Sequence, residues 1–326
     1  FCGRCGGENE RGDPMKWKGI LGRAGALAAL VLLACALAVT AAAQTIDLDR
    51  ENTLTVSFGE SGEGFPEVEF SLYRVASLTE EGEYALTGDF AQYPVSLEDL
   101  DSSGLRSLAQ TLDAYVARDT LTPLLSQETG EDGRVSFEGL SPGLYLVLGE
   151  SYTQDNTVYT PSPMLFYLPG QGEDGSWEYE VTASCKFDQE EIADATVSRK
   201  VQKVWKDDGN QSKRPEQVLV QLLENGAVVD TVALSEENNW EYTWENLDAS
   251  SRWQVAETNV PAGYTVTVTQ EGTFFVVTNT YPGKTPPKLP QTGLLWWPVP
   301  LLACAGLALV LAGAGARRRG RGSHEK

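Results

Sequence analysis

Histidine is all but missing from this chain of 326 residues: His324 is the single one. That excludes Ser-His and Cys-His catalysis and histidine-based metal sites from everything upstream of it. Cysteine is nearly as scarce. Cys2, Cys5, Cys35 and Cys304 fall in terminal segments, so Cys185 stands alone in the part expected to be mature, and an exported chain with one cysteine holds no internal disulfide. Lysine is absent between Lys18 and Lys186. Basic residues are few overall. Between Gln44 and Thr292 there are 15 Lys+Arg against 42 Asp+Glu, a net charge of −27. Such a surface repels nucleic acid and anionic lipid and keeps an exported chain soluble. The acids are plentiful, yet no pair stands out for glycoside hydrolysis. The sequence therefore predicts no conventional enzyme and implies no cofactor or metal.

The ends carry targeting signals. Residues 1–14 precede Met15, which reads as the start; Cys2-Gly3-Arg4-Cys5 and Arg11-Gly12-Asp13 fall within them, one lacking a partner CxxC and the other a common tripeptide. From Met15 the basic Lys16, Lys18 and Arg23, the apolar stretch from Gly25 to Val39 and the small Ala41-Ala42-Ala43 compose a signal peptide over 15–43. Cys35 lies inside it, with apolar sequence continuing to Ala43. At the other end, residues 294–316 carry no charge and are long enough to span a hydrocarbon core of roughly 30 Å as a helix. Trp296 and Trp297 stand where an outer aromatic belt would lie, and the arginines in 317–326 mark the cytoplasmic side. The residues before the span face outward.

Between these ends the pattern is mainly β. From Asn52 to Asp188, short alternating segments are separated by Gly, Pro, Ser and Asp clusters. Leu54, Val56 and Phe58 share one face; so do Val68, Phe70 and Leu72, with Glu69, Ser71 and Tyr73 on the wet side. One helix interrupts them, its apolar stripe being Leu105, Leu108, Leu112, Tyr115 and Val116. Residues 191–195 form an acidic join. The segment 196–281 has about seven strand candidates and no helix, as an antiparallel sandwich requires. In it Asn225-Gly226 signals a tight hairpin, and Trp240, Tyr242 and Trp244 alternate with Glu241, Thr243 and Glu245, giving one buried face. Phe137-Glu138-Gly139-Leu140 overlays Trp244-Glu245-Asn246-Leu247 as a faint internal repeat.

Three polar residues fall on apolar faces: Lys203 with Val201 and Trp205, Asn279 with Phe275, Val277 and Tyr281, Glu257 with Trp253 and Val255. All three are expected to point inward. A lone inward lysine would be costly to bury unpaired.

Several motifs carry resemblances. Leu289-Pro290-Gln291-Thr292-Gly293, followed by the apolar span and basic tail, resembles the LPxTG sorting signal of Gram-positive surface proteins. The resemblance implies cleavage after Thr292 by a sortase and transfer of the acyl group to an amine. Pro290 would keep the backbone extended, and Gly293 would give access to the scissile carbonyl. The stretch from Gly133 to Val147 resembles the prealbumin-like and Cna-B-like sandwiches of surface proteins and pilins, in whose amino-terminal members a helical insertion is common. Segment 196–281 resembles the Cna B-type domain through Lys203-Val204-Trp205, Lys213-Arg214-Pro215, Val220-Gln221-Leu222-Leu223 and Thr278-Asn279-Thr280-Tyr281. Trp253 to Thr258 with Pro261-Ala262-Gly263-Tyr264 is similar to the pilin E-box. The family implies an intramolecular isopeptide bond between Lys203 and Asn279, assisted by Glu257. Laying Trp253 on Tyr145 puts Gly149 where Glu257 stands, so none is expected in the first domain. Trp177, Val181 and Lys186 keep the spacing of the WxxxVxVYPK pilin motif, which would make Lys186 an acceptor amine, although Ala183, Ser184 and Cys185 replace its second Val, its Tyr and its Pro.

The expected architecture is two tandem Ig-like/prealbumin-like β-sandwich domains, 44–190 with a helical insertion and 196–281, then a linker and sorting signal over 282–293, a transmembrane helix over 294–316 and a cytoplasmic tail over 317–326. The expected function is a wall-anchored structural pilus subunit or pilin-like stalk, the alternative a monomeric adhesin whose first domain binds a host or glycan ligand. Its partners would be sortase and either the peptidoglycan cross-bridge or other pilin subunits. It would reside at the cell wall, by way of a membrane-anchored precursor.

Overall fold

The computed structural model describes residues 46–79, 82–98, 100–172, 174–191 and 196–281. The signal peptide, the sorting signal, the expected span and most of the join at 191–195 lie outside the described residues. Among the described residues no helix is long and apolar enough to cross a membrane.

Among the described residues the chain is mainly β with one α-helix. Its longer strands up to the join are β1 (Asn52–Ser57), β2 (Glu69–Leu78), β3 (Leu125–Glu128), β4 (Arg134–Leu140), β5 (Gly143–Gly149), β6 (Thr157–Pro161), β7 (Met164–Leu168), β8 (Glu180–Ser184) and β9 (Phe187–Glu191), with helix α1 (Ser102–Asp119) between β2 and β3. After the join come β10 (Thr196–Lys206), β11 (Gln217–Glu224), β12 (Ala227–Ser235), β13 (Glu241–Asp248), β14 (Trp253–Glu257), β15 (Thr265–Glu271) and β16 (Phe274–Thr280).

In the first region β1 lies between β8, parallel, and β4, antiparallel. A second sheet contains β7, β5 and β2, with β3 added on β2. Leu54, Val56, Phe58, Val68, Phe70 and Leu72 are all buried, as their alternation predicts. Tyr73 is not on a wet face. It is buried with Val75 and Ala76, because the other side of β2 is covered by α1 and by Phe90, whose ring meets Tyr73 edge-on at 6.4 Å.

The second region is a sandwich of two sheets, ordered β13-β10-β16-β15 and β12-β11-β14. Asn225 and Gly226 both take positive φ, 49° and 85°, and close the β11–β12 hairpin as a primed turn. Trp244 is buried, but Tyr242 is exposed on the outer strand β13, resting edge-on against Trp244 at 5.2 Å. The alternation therefore fails at one of its three aromatic positions.

The faint repeat has a structural counterpart. Phe137 pairs with Leu54 and Leu140 with Asn52; Trp244 pairs with Arg199 and Leu247 with Val197. Each pairing skips one residue, and Gly139 (φ 70°) and Asn246 (φ 58°) take the left-handed conformation at the two bulges.

Helix α1 starts on Asp101, whose side chain accepts from the Gly104 N–H at 2.7 Å. Leu108, Leu112, Tyr115 and Val116 of its stripe are buried, and Leu105 partly so. Thr111 and Asp113, off the stripe, are buried as well. Their cover is the second region. Strand β15 is the edge of its sheet, and its outward N–H groups are all taken: Val266 by the Pro94 carbonyl (2.8 Å), Val268 by Thr111 Oγ1 (2.7 Å) and Gln270 by Gln110 Oε1 (3.2 Å). An open sheet edge is thereby closed. Of the two buried apolar clusters among the described residues, one consequently combines α1 residues with the second sandwich, and the other lies within the first region.

Candidate site of intramolecular cross-linking

Lys203, Glu257 and Asn279 meet between the two sheets of the second sandwich. β10 and β16 are parallel neighbours, with Lys203 opposite Val277 and Trp205 opposite Asn279. The inward face of β10 therefore carries Lys203 beside that of β16, which carries Phe275, Val277 and Asn279. Glu257 ends β14 in the opposing sheet, where all five residues are buried. The Lys203 and Glu257 side chains have no solvent exposure, and Asn279 has none either.

The Glu257 carboxyl bridges the other two groups. Lys203 Nζ lies 3.5 Å from Glu257 Oε2, and Asn279 Nδ2 donates to Glu257 Oε1 at 2.9 Å. The amine also donates to the Val277 carbonyl at 3.2 Å and sits 4.4 Å from the centroid of the Trp205 ring. Among the described residues, Asn279 Oδ1 is buried without a hydrogen-bond partner, and Glu257 Oε2 has only the ionic contact with Lys203. A half-turn of the carboxamide and a proton on Glu257 Oε1 would satisfy Asn279 Oδ1, since the acid could then donate to it, while Oε2 keeps the Lys203 amine at 3.5 Å.

Burial acts in opposite senses on the two titratable groups. It pulls the Lys203 ammonium down to about 8, against the Glu257 carboxylate and with a smaller push from Arg214. It pushes the Glu257 carboxyl up, opposed first by Lys203 and then by the Asn279 hydrogen bond. The two proton affinities approach each other, so a neutral amine facing a protonated acid becomes accessible. That is the protonation state in which an amine can attack a carboxamide while an acid polarises its carbonyl.

The first region has no such cluster among its described residues. β1 and β8 are parallel, as β10 and β16 are, but they pair Leu54 with Val181 and Val56 with Ala183. At Gly149 a Cβ would fall 2.5 Å from the Phe70 ring, so no acid fits there. Lys186 is exposed between β8 and β9, and its carbonyl accepts from the Ser162 N–H at 2.7 Å. Cys185 is buried and its thiol is pushed up to about 12, chiefly by burial. Leu289, Pro290, Gln291, Thr292 and Gly293 lie outside the described residues.

Sequence reasoning missed the partners of β14. Asp113 of α1 accepts from Gln254 Nε2 at 2.7 Å and from the Arg252 guanidinium at 2.6 Å, and the Tyr115 hydroxyl donates to the Glu257 carbonyl at 3.4 Å. The available signal was an acid beside Leu112 in an otherwise apolar helical turn.

The family model of the Cna protein B-type domain matches residues 199–280. The collagen adhesin of Staphylococcus aureus is 34% identical over 139 residues, covering 37% of this chain and 12% of that protein. Among solved structures, a single B repeat unit of the collagen binding surface protein of Staphylococcus aureus aligns at 18% identity over 72% of this chain and 99% of its own, with a TM-score of 0.27. The shaft pilin SpaA of Lactobacillus rhamnosus GG aligns at 15% identity over 72% and 99%, with a TM-score of 0.26. Likenesses at such scores establish neither family nor fold. By sequence, residues 199–280 match the Cna protein B-type domain, and Lys203, Glu257 and Asn279 all lie within that match.

Proposed function

We propose that the chain is a sortase-anchored surface protein of a Gram-positive cell, a pilus subunit or pilin-like stalk whose second domain is tied by an isopeptide bond between Lys203 and Asn279. The supporting observation is the dry cluster of amine, carboxyl and carboxamide between the two sheets. The neutral Lys203 amine attacks Asn279 Cγ while Glu257 donates a hydrogen bond to Oδ1. The new Nζ–Cγ bond replaces the Cγ–Nδ2 bond. One amine hydrogen, relayed by Glu257, leaves with the Nδ2 group as ammonia. This is a single turnover on the chain itself, and no external substrate is consumed.

The tie joins the first and last strands of the sandwich, so tension entering at either end bypasses the strands between. It replaces the disulfide that the lone Cys185 cannot form. The Leu289 to Gly293 signal, with its apolar span and basic tail, supports covalent attachment to the wall after export. Intact mass of the full chain tests the bond: it should be one ammonia lighter than the sequence requires, and a full mass would refute the tie.

Lys186 is the candidate acceptor for polymer growth, supported by its pilin-motif spacing and its exposed position. Immunoblots of cell-wall extracts should show a ladder that Lys186→Ala collapses to monomer, with Thr292 linked to Lys186 in peptides from the polymer. A ladder surviving that change would remove Lys186, and a single band from the unmodified chain would favour the monomeric adhesin.

A further inference from the structure

The contacts of α1 converge on the strand that carries Glu257. Asp113 holds Gln254 and Arg252, three and five residues before Glu257, from a position where its own side chain is 7% exposed. Tyr115 is buried with its hydroxyl on the Glu257 carbonyl. Behind it the Tyr93 ring stacks at 4.6 Å, and the Arg118 guanidinium lies 4.5 Å from the Tyr115 ring centroid. Asp119 holds both, accepting from the Tyr93 hydroxyl at 2.7 Å and from Arg118 at 2.6 Å. These groups, together with Pro94 and Val260, surround the end of β14 where Glu257 emerges.

We infer that helix α1 of the first domain is a positioning element for the cross-link in the second, with Asp113 and Tyr115 keeping Glu257 dry and in place. The inference rests on reading Lys203 and Asn279 as a bond-forming pair. Its physical basis is that a displaced acid loses both proximity and desolvation, and a shift of about 1 Å can slow a positioned reaction by about a hundredfold. The second domain would then mature efficiently only when the first has docked on it.

The pH profile separates this role from generic loss of stability. The reactive state holds one proton between the pair, on the carboxyl. The rate falls in acid, where a second proton locks Lys203 as ammonium, and falls again in alkali, where the pair has lost its last proton. The charged or titratable groups facing Glu257 are Lys203 from β10, Tyr115, Arg118 and Asp119 from α1, and Tyr93 from the segment before it. Opening the Tyr115 side to water lowers the proton affinity of Glu257. The acid limb then moves to lower pH, and each unit of that movement slows the plateau by about tenfold.

The experiment follows intact mass of the full chain after cell-free synthesis, with samples transferred to buffers between about pH 5 and about pH 9. Tyr115→Ala should form the bond about ten- to a hundredfold more slowly, with the acid limb displaced downward. Tyr115→Phe keeps the ring but loses the hydroxyl contact with the Glu257 carbonyl and should fall between the unmodified chain and Tyr115→Ala. Asp113→Asn, which preserves size but weakens the hold on Arg252, should also slow the reaction. Val56→Ala, in the separate apolar cluster, should lower stability without moving the profile. The inference is overturned if Tyr115→Ala and Asp113→Asn match the unmodified chain, or if Val56→Ala slows the reaction as much as they do. An unmodified chain that never loses ammonia would remove the proposed bond and this inference together.

Discussion

Glu257→Gln leaves the full chain at its unreacted mass. Glutamine matches the shape of glutamate, and its oxygen still accepts from Asn279 Nδ2 as Oε1 does at 2.9 Å. It cannot hold the proton that polarises the Asn279 carbonyl, and it offers Lys203 no counter-charge at 3.5 Å. The chemistry stops while the packing is kept. Stability falls for two reasons. Removing one partner of a buried pair costs about 3–5 kcal/mol, and by chain-entropy arithmetic the missing tie removes about 4–5 kcal/mol more. In a domain of this size either loss lowers Tm by on the order of 20 °C, which calorimetry of the full chain would register. A Glu257→Gln chain that is still one ammonia light would show that Glu257 is dispensable for the reaction.

Thr292→Ala should release the protein from the wall. Under the proposed anchoring the Leu289 to Gly293 signal would supply the acyl group, and cleavage after Thr292 would convert a membrane-held precursor into a wall-linked product. With that step blocked, the apolar span over 294–316 remains attached. The protein should move from the wall fraction to the membrane fraction or the medium, with covalent attachment to peptidoglycan lost. Digestion of purified walls followed by immunoblotting checks this. Unchanged attachment would contradict sortase anchoring at this site while leaving the cross-link untouched, since the two features occupy separate parts of the chain.

The candidate cluster was legible because it sits in regular strands. Period-two alternation places Lys203, Glu257 and Asn279 inward without any knowledge of which strands pair, and all three are buried. Turn chemistry was equally readable at Asn225-Gly226, whose positive φ values only a few residue types accept readily. The overlay of Gly139 on Asn246 located two equivalent bulges through their left-handed conformations. What failed depended on long-range cover. Tyr73 takes the nominally wet face of β2, and the sequence gives no sign that α1 and Phe90 lie over it. Tyr242 belongs to an apolar alternation but sits on an outer strand. Thr111 and Asp113 fall outside the apolar stripe of the helix, yet they bond to Val268, Arg252 and Gln254 across more than a hundred residues. A helical period reports one buried face; it carries no information about a second surface covering the other.

Peptide mapping at the two bonded residues tests the central claim most directly. Tryptic digestion of the full chain, followed by tandem mass spectrometry, should recover Lys203 and Asn279 in one branched peptide that is one ammonia short of the sum of its arms and uncleaved after Lys203. Two separate linear peptides, with normal cleavage after Lys203 and an intact Asn279 carboxamide, would contradict it.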